Sequence, residues 1–127
     1  MPDKILVVDD EPDPLSLTKR ILERNGYRVF TASDGEEALQ KVNAEPPDLI
    51  LLDIVMQGKD GVEVCKILKS KPKTRRIPVV MFTVLGRDVD IKRATDAGCD
   101  GYVTRPFVTE DLLAEIKKHL GQAKAKK

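Results

Sequence analysis

Residues 5–13 read ILVVDDEPD, and this stretch decides the fold. Four apolar residues, Ile5 to Val8, run directly into three carboxylates, Asp9, Asp10 and Glu11. A short β-branched apolar run fits a strand buried on both faces. Neighbouring carboxylates repel and resist joint ionisation. Three of them at a strand end therefore raise the question of what they hold.

Similar apolar runs recur at Val29–Ala32, Leu49–Leu52, Val79–Phe82 and Gly101–Val103. Amphipathic stretches separate them. The first lies in DPLSLTKRILERNG, where Asp13 can cap, Pro14 suits the first helical position and Gly26 follows the end. Leu15, Thr18, Ile21 and Leu22 make its inner face. The second lies in SDGEEALQKV, where Ser33 and Glu36 have capping-box spacing. The third covers roughly Val62–Lys69, and the fourth covers roughly Val89–Ala97 and is closed by Gly98. The fifth follows Thr109, with Leu112, Leu113, Ile116 and Leu120 inside. Five strands alternating with five helices predict an α/β fold: a doubly wound, parallel sheet with helices on both faces. In such sheets ligands sit at the carboxyl ends of the strands.

At 127 residues, 41% hydrophobic and 34% charged, the chain fits one globular domain. No apolar run has the length of a membrane span and no signal-peptide pattern opens the chain, so no membrane partner is expected. Cys65 and Cys99 are isolated and read as free thiols of a reducing cytosol. Net charge is +1, but Lys124, Lys126 and Lys127 supply three positive charges, leaving the rest at −2. That body has no basic footprint for nucleic acid, and no tryptophan offers a stacking platform. The domain is expected over residues 1–121, with 122–127 a basic tail or linker stub.

The strand ends collect the chemistry. The first ends at Asp9 and Asp10, the third at Asp53 and the fourth at Thr83, and Arg105 follows the fifth. In a parallel sheet all of these face one rim. Three hard carboxylates, with no Cys or His beside them, favour Mg²⁺ or Mn²⁺. The lone His119 reads as a surface or helix-end residue. Such a metal serves phosphate. The turn DDEPD lacks the glycines of a dinucleotide site, and no GxxxxGK[ST] loop exists. What remains is a single phosphoryl group, accepted covalently by a carboxylate, with Thr83 bonding a phosphoryl oxygen.

The segments VVDDEP, DLILLDIVM…DG, VVMFT and GYVTRPF, in this order and spacing, resemble the receiver domain of bacterial two-component response regulators over about residues 3–120. The resemblance implies the flavodoxin-like strand order 2-1-3-4-5. It implies Asp53 as phosphoacceptor, charged by a sensor histidine kinase or phosphotransfer protein in the cytoplasm. It further implies Mg²⁺ held by Asp9, Asp10, Asp53 and the Val55 backbone carbonyl. Thr83 and Tyr102 would form the switch pair, a cis peptide would precede Pro106, and an unknown downstream effector would read the result. At Glu11 the family often carries an acid, and a solvated loop charge is an equally good reading.

The chain departs from the family's pattern at several positions. Arg105 stands in place of a lysine, Val84 in place of a small residue, Gln57 in place of a proline and Lys59 in place of an apolar residue. By the same resemblance Val55 and Leu85 would flank the path of an attacking water; both are apolar, which predicts slow self-dephosphorylation. Ile91, Ala94 and Lys117 are candidates for an output face. Two other functions compete: a phosphorylation-independent interaction module, and a metal-dependent phosphatase. The phosphatase class wants an acid two residues after the nucleophile, where Val55 stands.

Overall fold

In the computed structural model, five strands form one parallel sheet: β1 (Lys4–Val8), β2 (Arg28–Ala32), β3 (Leu49–Asp53), β4 (Val79–Val84) and β5 (Gly101–Arg105). Their order is β2-β1-β3-β4-β5, as the resemblance implied. Five helices alternate with them: α1 (Pro12–Arg24), α2 (Gly35–Ala44), α3 (Gly61–Ser70), α4 (Asp88–Asp96) and α5 (Thr109–Ala125). The structure describes residues 3–56, 60–84, 88–105 and 107–125, without the side chains of 83, 84 and 123–125. Gln57, Lys59, Leu85, Pro106, Lys126 and Lys127 therefore lie outside the described residues, as do the side chains of Thr83, Val84 and Lys124.

The strands bury both faces because successive side chains point to opposite sides. Ile5, Val7, Leu49, Leu51, Val80 and Phe82 pack with Leu22 of α1 and with Leu112, Ile116 and Leu120 of α5. Leu6, Val8, Ile50, Leu52, Val79 and Met81 pack with Ala38 and Val42 of α2, Cys65 and Leu68 of α3 and Ala94 of α4. All twelve of these strand residues are fully buried. Two separate cores, one on each side of the sheet, leave the strand ends as the place where polar chemistry can sit.

Several local expectations are corrected. α1 starts earlier than Asp13: Glu11 is its N-cap, without a side-chain cap bond, and Pro12 takes the first turn. Pro12 has the same fixed φ and missing N–H that made Pro14 suitable. At α2 the cap is Asp34, whose carboxylate accepts the Glu37 N–H at 2.8 Å, while Glu37 reaches back to the Ser33 N–H at 2.6 Å. The capping pair is thus shifted by one residue from Ser33 and Glu36. Ala94 belongs to a core, so it cannot line an output face.

His119 is buried rather than superficial. Its Nε2 lies 3.0 Å from Glu115 Oε2, one helical turn earlier. The ring fills the space over Gly101, where an added Cβ would stand 2.4 Å from Nε2. Cys65 is buried and Cys99 half-buried, and both are free. Burial pushes the Cys65 thiol up to about 12, which keeps it an unreactive thiol. Among the described residues, no helix is long and apolar enough to cross a membrane.

Candidate functional site

The site lies where the sheet's winding reverses. From β1 the chain order runs outward to β2 on one side and to β3 on the other. The helices that follow β1 and β3 depart to opposite faces and open a crevice at the strand ends. Val8 of β1 is in register with Leu52 of β3, so Asp9 and Asp53 face each other one step beyond. The Asp9 N–H donates to the Ala32 carbonyl at 3.1 Å, extending the β1–β2 ladder by one residue. Asp53 is in register with Phe82 of β4, and Val84 with Arg105 of β5.

Side-chain parity explains which groups meet. Val7, Leu51 and Val103 face the α1/α5 side, so Asp9, Asp53 and Arg105, each two residues on, share that side. Asp9 is fully buried. Its Oδ1 accepts the Glu11 N–H at 3.0 Å and its Oδ2 accepts from Arg105 Nη2 at 2.6 Å. Arg105 Nη1 lies 3.6 Å from Asp53 Oδ2. The guanidinium carbon sits 4.2 Å from the centre of the Phe82 ring, and Phe82 stacks on Phe107 with ring centres 5.9 Å apart. A partly desolvated cation over an aromatic face gains roughly 1–2 kcal/mol.

Burial pushes the Asp53 carboxyl up to about 6. Arg105 pulls it down, Asp9 pushes it up, the Val55 N–H bond pulls it down, and Asp10 adds a small upward push. Asp53 is thus an anion at neutral pH, yet a poorly hydrated one. Poor hydration leaves its oxygens available to a cation or an electrophile.

Asp9, Asp10 and Asp53 each offer an oxygen within 4.8 Å of the others. This hard, all-oxygen donor set suits Mg²⁺ or Mn²⁺ and is a poor match for zinc. The cluster fits a divalent cation in donor chemistry and in spacing. Beside it, Arg105 contacts the carboxylates themselves. Tyr102 is about half exposed on the edge strand β5 and lines a groove of about 370 Å³ with Phe107, Val108 and Glu115. Glu11 is exposed, consistent with a solvated charge. Val55 is largely exposed beside the site. The Thr83 backbone pairs with Thr104 in the β4–β5 ladder.

Gly61 was missed as a site residue. Its N–H donates to the Ile54 carbonyl at 2.8 Å, folding the start of α3 back onto the end of β3. An added Cβ would lie 2.1 Å from the Asp53 carbonyl oxygen and 2.9 Å from the Ile54 Cα. The DG pair at 60–61 was the available signal, since Asp60 also caps α3 by accepting the Glu63 N–H. Phe82 was missed as a platform because VVMFT reads as a uniformly apolar strand.

The family model for the response regulator receiver domain matches residues 5–117. The chain belongs to this family. It is 45% identical over 114 residues to the alkaline phosphatase synthesis transcriptional regulatory protein PhoP of Bacillus subtilis (strain 168), covering 90% of this chain and 47% of that protein. The chain thus spans about half the length of that relative. The signal receiver domain of a signal transduction histidine kinase from Syntrophus aciditrophicus superposes with a TM-score of 0.89 at 34% identity, covering 94% of this chain and 91% of that one. The receiver domain of NtrX from Brucella abortus gives 0.86 at 33% identity, covering 92% and 98%. As a receiver, the chain is a signalling domain of two-component systems.

Proposed function

We propose that the chain receives a phosphoryl group on Asp53 from the phosphohistidine of a sensor histidine kinase or phosphotransfer protein, and reports it through a change of surface. The observation that carries this reading is the poorly hydrated Asp53 anion, its carboxyl pushed up to about 6, set in a triad of carboxylates. Asp9, Asp10, Asp53 and the Val55 carbonyl would hold Mg²⁺, or Mn²⁺ in its place. A bound divalent cation supplies positive charge against which phosphoryl oxygens can collect.

An Asp53 carboxylate oxygen attacks phosphorus and forms the P–O bond. The P–N bond to the donor imidazole breaks, and its electron pair leaves with the nitrogen, which takes up a proton. Arg105 neutralises a phosphoryl oxygen and the Thr83 hydroxyl bonds another. Tyr102 then turns inward. Its half-exposed position beside an open groove supports this motion. The reading places the domain in the cytoplasm, without direct nucleic-acid contact of its own; its last helix, α5, continues through Ala125, past the boundary expected at residue 121. The downstream effector reads the surface. The chain catalyses only its own phosphorylation and its reversal.

Intact mass after incubation with Mg²⁺ and acetyl phosphate tests the reading. One added phosphoryl group, absent in Asp53→Ala, is expected. An unmodified protein that still binds Mg²⁺ would favour the phosphorylation-independent module.

The acyl phosphate should be long-lived. Val55 is exposed beside Asp53 and has no polar atom in its side chain to orient water. The expected half-life, followed by mass after donor removal, is well above a minute, and Val55→Asn should shorten it several-fold. Loss within seconds in the unaltered protein would contradict this.

A further inference from the structure

A cation already sits among the carboxylates: the guanidinium of Arg105. It is 2.6 Å from Asp9 Oδ2 and 3.6 Å from Asp53 Oδ2. Asp9 is fully buried, so its charge requires a partner wherever the partner comes from. The planar fork spans two carboxylates at once, and its central carbon lies over the Phe82 ring, 4.2 Å from its centre. A lysine ammonium is a point charge without a face to stack.

We propose that Arg105 is a tethered counter-cation that a divalent metal must displace from Asp9, so that Arg105 sets the metal affinity of this receiver. The inference rests on the divalent site proposed above. Two cations compete for the same Asp9 and Asp53 oxygens, and one of them is covalently attached. Metal affinity is then reduced by the fraction of molecules in which the guanidinium has withdrawn. Withdrawal has a second consequence. It frees the guanidinium, with its five donors, to meet an incoming phosphoryl group. Metal entry and arming of the phosphoryl-binding cation become one event.

The test is Mg²⁺ titration by calorimetry on the full chain, with Arg105→Lys and Arg105→Met. Arg105→Met should bind Mg²⁺ about tenfold more tightly than the unaltered protein, as expected if the metal-competent form is about a tenth of the population. Arg105→Lys keeps the charge but loses the fork and the stacking, and should also bind several-fold more tightly. Lysine and arginine proteins of equal affinity would overturn the proposal, because charge alone would then account for the methionine result. The unaltered protein supplies a readout independent of any substitution. In metal-free protein the Arg105 Nε–Hε resonance should be shifted upfield by the Phe82 ring, and saturating Mg²⁺ should move it to the position of a solvated arginine. A resonance that stays in place while the Asp9 and Asp53 amides report saturation would also overturn it. If all three proteins bind Mg²⁺ equally, only this proposal fails. If none binds, the divalent site fails and takes the proposed function with it.

Discussion

Replacing Gly61 by alanine is expected to lower the melting temperature by about 10 °C, corresponding to about 3 kcal/mol in a domain of this size. The three atoms nearest the new Cβ would be the Asp53 carbonyl oxygen and carbon and the Ile54 Cα, at 2.1, 2.9 and 2.9 Å. All are backbone, so no side chain can swing aside. Either α3 moves off the end of β3, breaking the 2.8 Å bond from the Gly61 N–H to the Ile54 carbonyl, or the Asp53 peptide turns. Turning that peptide carries the Asp53 carboxylate away from Asp9, so Mg²⁺ binding should weaken along with stability. Gly121→Ala is the control. It lies in α5 with open space around it, and alanine there should be neutral or stabilising by up to ~1 kcal/mol. Circular dichroism melts of both variants check the pair. A Gly61→Ala protein that melts within a few degrees of the unaltered chain would show that the turn after β3 can relax.

Asp53→Asn should stabilise the metal-free protein at pH 7. The Asp53 carboxyl is raised to about 6, mainly by burial. An unfolded aspartate titrates near ~3.9. Between these values the folded state holds more protons than the unfolded state, so stability falls as pH rises through the window and the full cost is present at neutral pH. A shift of about two units is worth ~3 kcal/mol, and residual solvent access reduces the expected gain from asparagine to about 2 kcal/mol. The gain should vanish below about pH 4, where aspartate is protonated in both states. Urea unfolding in a chelating buffer at the two pH values measures it. Added Mg²⁺ should then stabilise the aspartate protein and leave the asparagine variant nearly unchanged, because a ligand stabilises only the state that binds it. Equal stability of the two proteins at pH 7 would mean that the site hydrates Asp53 well.

The sheet was legible because its signals are redundant. Each of the five strands is a short apolar run, and alternation with amphipathic helices leaves few topologies open. The acids at 9, 10 and 53 were legible for the same reason: a parallel sheet sends every strand end to one rim. What was not legible depends on side-chain reach. Arg105 could be placed at the rim but not on Asp9, because a guanidinium's partner is chosen by the nearest desolvated anion and by a ring beneath it, and neither is local in sequence. His119 was misplaced because Gly101, on a different element, makes the hole that it fills. Helix starts slipped at α1 and α2, where residues one or two positions apart, Ser33 and Asp34 or Pro12 and Pro14, carry the same local chemistry and tertiary packing chooses between them.

The most direct measurement is to treat the protein with Mg²⁺ and acetyl phosphate, reduce any acyl phosphate with borohydride, and map the resulting homoserine by peptide mass spectrometry. Conversion at residue 53, and at neither Asp9 nor Asp10, is the predicted result. Conversion at Asp9 or Asp10, or at no carboxylate of the cluster, would contradict the account.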